Sequence, residues 1–197
     1  RRTQLADPNH RIAVSTWSLH RLLGTTFPHD LTTDAVGDMQ ETYGEGEESL
    51  LGLPSVLANH GYHRLEIVSF HLRSRDPVYL GELRDQLNVS GVTLQTLLID
   101  AGDMTDPVHG ARDTRWIAGW VDVANMLGAE NARIIAGKQK PTQDAMSRSV
   151  AGFKELLAAN AGSPLRLFTE NWFDLLSTPQ AVHELLGYKP LSTPCLP

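Results

Sequence analysis

One cysteine, Cys195, stands in 197 residues, which excludes a disulfide framework and a thiolate metal cluster. Aromatic residues make up only 7% of the chain. No apolar run approaches the roughly 20 residues that a membrane-spanning helix needs. Positive charge is short too: 17 Lys and Arg stand against 23 Asp and Glu, a formal net charge of -6. That balance, with no basic stripe, argues against nucleic acid or an anionic membrane surface as the main partner. A GxGxxG after the first strand, a GxxxxGK[ST] loop and a GxSxG elbow are missing. A Rossmann dinucleotide site, a P-loop and an α/β-hydrolase nucleophile are therefore not expected. The near-absence of cysteine fits a reducing cytoplasm. The first residue is Arg1 rather than Met, which leaves room for an upstream segment such as a removed targeting peptide.

What is present is ordinary globular material, 41% hydrophobic and 20% charged, enough for one domain with a sizeable core. After a polar start over residues 1–10, strand-like and helix-like patterns alternate. Strands are expected at 11–16, 64–70, 92–99, 132–136 and 165–169. Helical faces follow: Leu50, Leu53 and Leu57; Leu80, Leu83 and Leu87; Ile117, Trp120, Val121, Ala124 and Leu127; Val150, Phe153, Leu156 and Leu157; Val182, Leu185 and Leu186. Asp76-Pro77 and Thr178-Pro179 are helix starts, and Gly61, Gly91, Gly128 and Gly187 are stops. Pro54 either kinks the first of these helices or marks the first turn of a shorter one. The polar stretch 24–48 reads as a long loop after the first strand, either functional or a solvated acidic insertion.

Such alternation predicts an α/β fold with a parallel (β/α) barrel. A closed barrel needs eight units and about 250 residues. About five units are legible here, so the expectation is an incomplete, C-terminally truncated barrel. It forms one partial domain over 1–187, followed by an irregular Pro-rich tail over 188–197. Three prolines in that tail make it a poor central strand.

In a parallel barrel the chemistry sits at the C-terminal strand ends. The residues there are Trp17, His20, His71, Asp100, Asp103, Lys138, Glu170 and Trp172. Imidazole, carboxylate and amine at several strand ends suit a divalent metal with acid–base work. Glu170 follows the apolar Leu167-Phe168, where an unpaired carboxylate is costly to bury, so it is read as a ligand or catalytic group. His71 is equally compatible with a structural role. Asp100 either faces a pocket or caps the turn after strand three. Asp103 and Asp106 cap or solvate that turn. Lys138 either binds a substrate oxygen or phosphate or faces solvent. Trp17 and Trp172 either wall a sugar face or pack in the core.

Several segments together resemble the xylose isomerase-like TIM-barrel superfamily, in particular the sugar phosphate isomerase/epimerase group. They are Ser15-Thr16-Trp17-Ser18, Gly61-Tyr62-His63-Arg64-Leu65-Glu66-Ile67, Asp100-Ala101-Gly102-Asp103, Leu127-Gly128-Ala129 and Glu170-Asn171. Each motif is loose, but their order over residues 11–187 is specific. The resemblance implies a sugar, sugar phosphate or polyol isomerase or epimerase. It would use one divalent metal (Mn, Mg, Co or Zn) and move a proton with carboxylates. Of the family's metal ligands, a Glu after strand five, an Asp after strand six, a His after strand seven and a Glu after strand eight, only the first has a counterpart, Glu170. Glu170 would then bind metal and exchange a proton, with His71 as a polar catalytic-pocket residue. Trp17, His20, Asp100, Lys138 and Trp172 would contact substrate. Metal binding by this chain is expected to be weak or absent, and activity impaired. The relatives also include multi-zinc DNA-repair endonucleases. Those place a histidine after strand three, where this chain has Asp100. The alternative in another class is a non-catalytic fragment or subunit that associates through open sheet edges, a homo-oligomer being one form of this.

Overall fold

A computed structural model describes residues 11–33 and 35–187. The tail over 188–197, with Cys195, lies outside the described residues, as do residues 1–10. Five strands form one parallel sheet: β1 (Val14–Ser15), β2 (Arg64–Val68), β3 (Thr93–Ile99), β4 (Asn131–Ile134) and β5 (Arg166–Phe168). They pair in sequence order, each strand with the next. Helices α1 (His20–Leu23), α2 (Leu53–Asn59), α3 (Pro77–Ser90), α4 (Gly110–Leu127), α5 (Gln143–Ala159) and α6 (Pro179–Gly187) fill the connections. This is the α/β repeat expected of an incomplete (β/α) barrel. Every strand is shorter than its apolar run.

The helix ends follow local chemistry. The Asp76 carboxylate accepts the Val78 N–H at 2.8 Å and Pro77 takes the first helical position. Thr142 and Thr178 accept the Ala145 and Ala181 N–H groups at the starts of α5 and α6, each at 3.2 Å. Gly91 and Gly128 close α3 and α4 in the left-handed conformation, φ 63° and 72°. Pro54 lies in the first turn of α2, so the helix starts at the proline and is not kinked by it.

Side chains on the sheet alternate between two environments. Leu65, Ile67, Leu97, Ile99, Ala132 and Ile134 turn to one face and pack with Leu83, Ile117, Trp120 and Leu127 of the helices. The opposite set, Ser15, Glu66, Leu98, Arg133 and Phe168, shares a cavity with residues that follow the strands. A second cluster joins α5 and α6 through Ala145, Met146, Leu175, Leu176, Ala181 and Leu185. The stretch 24–48 is a loop pinned by short bridges, Thr26 with Gln40 and His29 with Val36. None of the described helices is long and apolar enough to cross a membrane.

Leu97 is fully buried between sheet and helices, whereas Leu186 is 69% exposed. Leu97→Ala is expected to cost about 2–5 kcal/mol by urea unfolding and Leu186→Ala less than ~0.5 kcal/mol. Equal losses would mean that the sheet–helix layer is not the stabilising core.

Candidate functional site

Arg133 is the centre of the site. It lies in β4 opposite Leu98 of β3 and Phe168 of β5, with a side chain only 4% exposed. A buried charge needs partners. Its Nη2 donates to Asp100 Oδ1 in a short ion pair, and its Nε lies 3.4 Å from Glu170 Oε1. The Trp172 ring covers the guanidinium, centroid 4.9 Å from Cζ. The other Asp100 oxygen accepts the Trp17 indole N–H at 3.3 Å. Arg133 Nε and Nη1 still lack a hydrogen-bond partner. Arg133 lines a cavity of about 370 Å³ together with Trp17, Glu66, Glu170 and Trp172 among others.

The electrostatics follow from this burial. Desolvation pushes the Asp100 carboxyl above its ordinary value, against the opposing pull of Arg133 and the Trp17 N–H, and Glu170 adds to the rise. Phe173, just after Trp172, adopts φ 56° and ψ -177°, a region almost confined to glycine. The turn sends neighbouring rings to different charges: Trp172 over Arg133, and Phe173 to within 5.2 Å of the Lys138 amine.

The structure brings Trp17, Asp100, Glu170 and Trp172 together and leaves three expected residues elsewhere. His20 lies in α1, its ring 4.1 Å from the Tyr43 ring. Lys138 borders a different cavity with Lys140, Arg148 and Asp174. Its backbone explains the placement: Gly137 approaches so closely that a Cβ there would meet the Thr105 methyl at 2.4 Å. This lets Asp103 accept the Lys138 N–H at 3.0 Å and the Gln139 amide at 2.8 Å. Burial pushes Asp103 up, but these bonds and those from Thr105 outweigh it and hold the carboxyl below the usual range. Asp103 is thus a clamp between loops, and Asp106 caps the next turn through the Val108 and His109 N–H groups.

His71 is also outside the strand-end cavity. β2 stops at Val68, and a 3-10 turn over Ser69–His71 carries the imidazole inward. Its Nδ1 lies 2.9 Å from Thr16 Oγ1, and burial, with the nearby His20 charge, pulls it down to about 4. Three other residues were not anticipated as functional. Arg133 and Glu66 are charges within apolar strands, a readable signal. His29 sits in the polar loop with no signal at all. It packs between Trp116 and Trp120 and bonds Ser69 Oγ at 2.8 Å. Burial and Arg75 pull it down to about 4 as well.

The cation implied by the resemblance does not fit the described residues. Glu170 is its one expected ligand here, and the Arg133 guanidinium stands beside that carboxylate. Among the described residues no three His, Cys, Asp or Glu side chains converge into a metal-binding group.

Comparison with known proteins bears on the fold. No protein-family model matches the chain, and no curated protein sequence matches it. Solved structures do match. L-ribulose 3-epimerase superimposes with a TM-score of 0.63 at 17% identity, over 90% of this chain and 56% of that one. A sugar phosphate isomerase/epimerase from Parabacteroides distasonis matches with a TM-score of 0.59 at 10% identity, over 94% and 63%. A xylose isomerase domain protein from Planctomyces limnophilus matches with a TM-score of 0.55 at 12% identity, over 69% and 53%. The fold is therefore a parallel α/β barrel type, incomplete in this chain. The likeness is one of fold, and the chain spans between half and two-thirds of the length of these structures.

Arg133→Met leaves Asp100 buried without its partner, so a loss of about 3–5 kcal/mol is expected by urea unfolding. Arg133→Met with Asp100→Leu is expected to regain most of it. An equally large loss in the double variant would show that packing, not charge pairing, sets the stability.

Both low imidazoles give a pH dependence of defined sign. Folded values of about 4 lie below the ordinary 6.5, so the unfolded chain binds more protons between them. Their contribution is complete above pH 6.5 and is lost as pH falls toward 4. Thermal unfolding across that window is expected to show a falling Tm, with a shallower fall in His29→Gln and in His71→Gln. Unchanged slopes would rule out both histidines as the source.

Proposed function

We propose that the strand-end cavity is the sugar-facing part of an isomerase or epimerase site for a sugar, sugar phosphate or polyol. The observation that carries this reading is the buried Arg133 held between Asp100 and Glu170, with Trp17 and Trp172 beside it. An aromatic wall suits the apolar face of a sugar ring, and paired carboxylates suit its hydroxyls. Glu170 is the half-exposed member, its side chain 50% accessible. It is the proposed group to exchange a proton at the carbon next to a carbonyl. Asp100, fixed by Arg133 and Trp17, orients the substrate. Arg133 offers its unpartnered N–H groups to substrate oxygens. The matched structures, an L-ribulose epimerase and a sugar phosphate isomerase/epimerase among them, support the substrate class.

A divalent cation belongs to this reading only through the resemblance. One carboxylate beside a guanidinium gives little affinity, because tight sites need several converging ligands. The chain is accordingly proposed to bind metal weakly and to be inactive or impaired in turnover. No nucleic-acid or membrane partner is proposed, and the compartment proposed is the cytoplasm.

A second reading rests on β5. This edge strand carries Phe168, 42% exposed, and nearby Leu157 and Leu186 are exposed too. Such an edge invites pairing with a second copy in a non-catalytic subunit.

D-fructose titrated into the protein is expected to shift the Trp17 and Trp172 indole resonances, and Glu170→Gln is expected to weaken the response. Mn²⁺ is expected to bind more weakly than micromolar. Tighter binding that is lost in Glu170→Ala would overturn the weak-metal proposal. Silent indoles in a protein that sediments as a dimer would replace the sugar-site reading with the second.

A further inference from the structure

The loop over 24–48 helps to enclose a second cavity that shares no lining residue with the first. It holds about 210 Å³ and draws its walls only from residues 23–79. It is therefore complete within the described chain and independent of the open edge at β5. Leu23, Phe27, Leu50 and Leu51 make it largely apolar, and Met39, 58% exposed, stands on its outer side. Arg73 and Glu48 also border it. Arg73 lies over the Tyr79 ring at 4.7 Å, and with Glu48 the lining holds one residue of each charge.

Thr25, Ser49 and Tyr79 add hydroxyls to the lining, and its one imidazole is His71, only 3% exposed. Thr16 Oγ1, itself fully buried, accepts the Val68 N–H at 2.9 Å and lies 2.9 Å from His71 Nδ1. Among the described residues Thr16 Oγ1 has no other acceptor for its proton, so that proton is assigned to Nδ1. A neutral imidazole that accepts at Nδ1 carries its proton on Nε2. Nε2 has no hydrogen-bond partner among the described residues. A buried donor left unmatched is costly, and native structures satisfy nearly all such groups with protein, water or ligand.

We propose that this cavity binds a neutral, ring-sized molecule, apolar over most of its surface, with one carbonyl or hydroxyl oxygen that accepts the His71 Nε2–H. The size fits, since an apolar protein cavity of about 150 Å³ takes up benzene. A sugar matches it poorly, because the lining is apolar over most of its area and would leave hydroxyls without partners. This proposal owes nothing to the sugar-site reading.

Cyclohexanone is the probe, followed by NMR on the intact chain. Binding is expected to shift the His71 imidazole nitrogen resonances from those of an Nε2–H tautomer. It should also give cross-relaxation from the ligand to Phe27 and Leu50. His71→Phe keeps the ring and removes the donor, and is expected to weaken binding about tenfold. Glycerol is expected to leave the resonances unmoved. Imidazole signals that ignore cyclohexanone would overturn the proposal, since the cavity would then hold water only. A glycerol response equal to that of cyclohexanone would overturn it too. If His71→Phe does not fold, the wild-type imidazole resonances decide alone.

Discussion

A guanidinium inside a sheet is the constraint on which this molecule turns. Arg133 sits where β3, β4 and β5 meet, almost without solvent. Taking its charge out of water costs several kcal/mol. The structure answers with one buried carboxylate, one half-exposed carboxylate and an aromatic face. They come from two strand ends: Asp100 follows β3, while Glu170 and Trp172 follow β5. The need to satisfy one residue therefore draws two loop segments to one place. Two of its nitrogens still lack hydrogen-bond partners. In a purely structural ion pair the hydrogen bonds are closed, and this deficit is what the proposed site reading rests on.

The neighbouring loops are held by the reverse logic. Asp103 is a buried anion whose oxygens are filled by Thr105, Lys138 and Gln139. Its backbone N–H is in turn taken by Asp113 at 2.8 Å. These closed networks leave nothing over for a ligand. They fix the turns after β3 and β4, and so fix the positions of Asp100 and of the chain beyond Arg133. Two acidic residues three apart in one turn thus do different work, and hydrogen-bond bookkeeping separates them where residue type does not.

Much of this was legible in the sequence. Strand order, helix starts at Asp76-Pro77 and Thr178-Pro179, and stops at Gly91 and Gly128 rest on local chemistry, which tertiary contacts did not override. The strand-end rule picked out Trp17, Asp100, Glu170 and Trp172, the residues that converge. It also picked out His71 and Lys138, which do not. The rule assumes that a strand runs to the end of its apolar residues. β2 ends two residues before Phe70, and the 3-10 turn rotates His71 away. Lys138 borders another cavity, with its amine beside the Phe173 ring. Arg133 itself was passed over because its neighbours, Ala132 and Ile134, mark the segment as a strand. An arginine in a strand buried on both faces is the stronger signal. Such a residue must be paired, and its partners have to be the carboxylates at adjacent strand ends.

The His71 displacement has a consequence for how the two cavities relate. Thr16 is the residue between them: it follows β1, bonds the backbone of β2 and meets His71, while its neighbour Trp17 bonds Asp100. Trp17 and Phe70 meet edge to face at 5.2 Å, and Phe70 in turn meets His71 at 4.7 Å. The first turn after β1 is thus a partition. Its polar side faces carboxylates and a guanidinium, and its apolar side faces a neutral imidazole and leucines. Packed interiors do not deform continuously, so a change on one side of this partition reaches the other through three aromatic rings and one hydroxyl. Separate chemistry on the two sides is therefore compatible with mechanical contact between them.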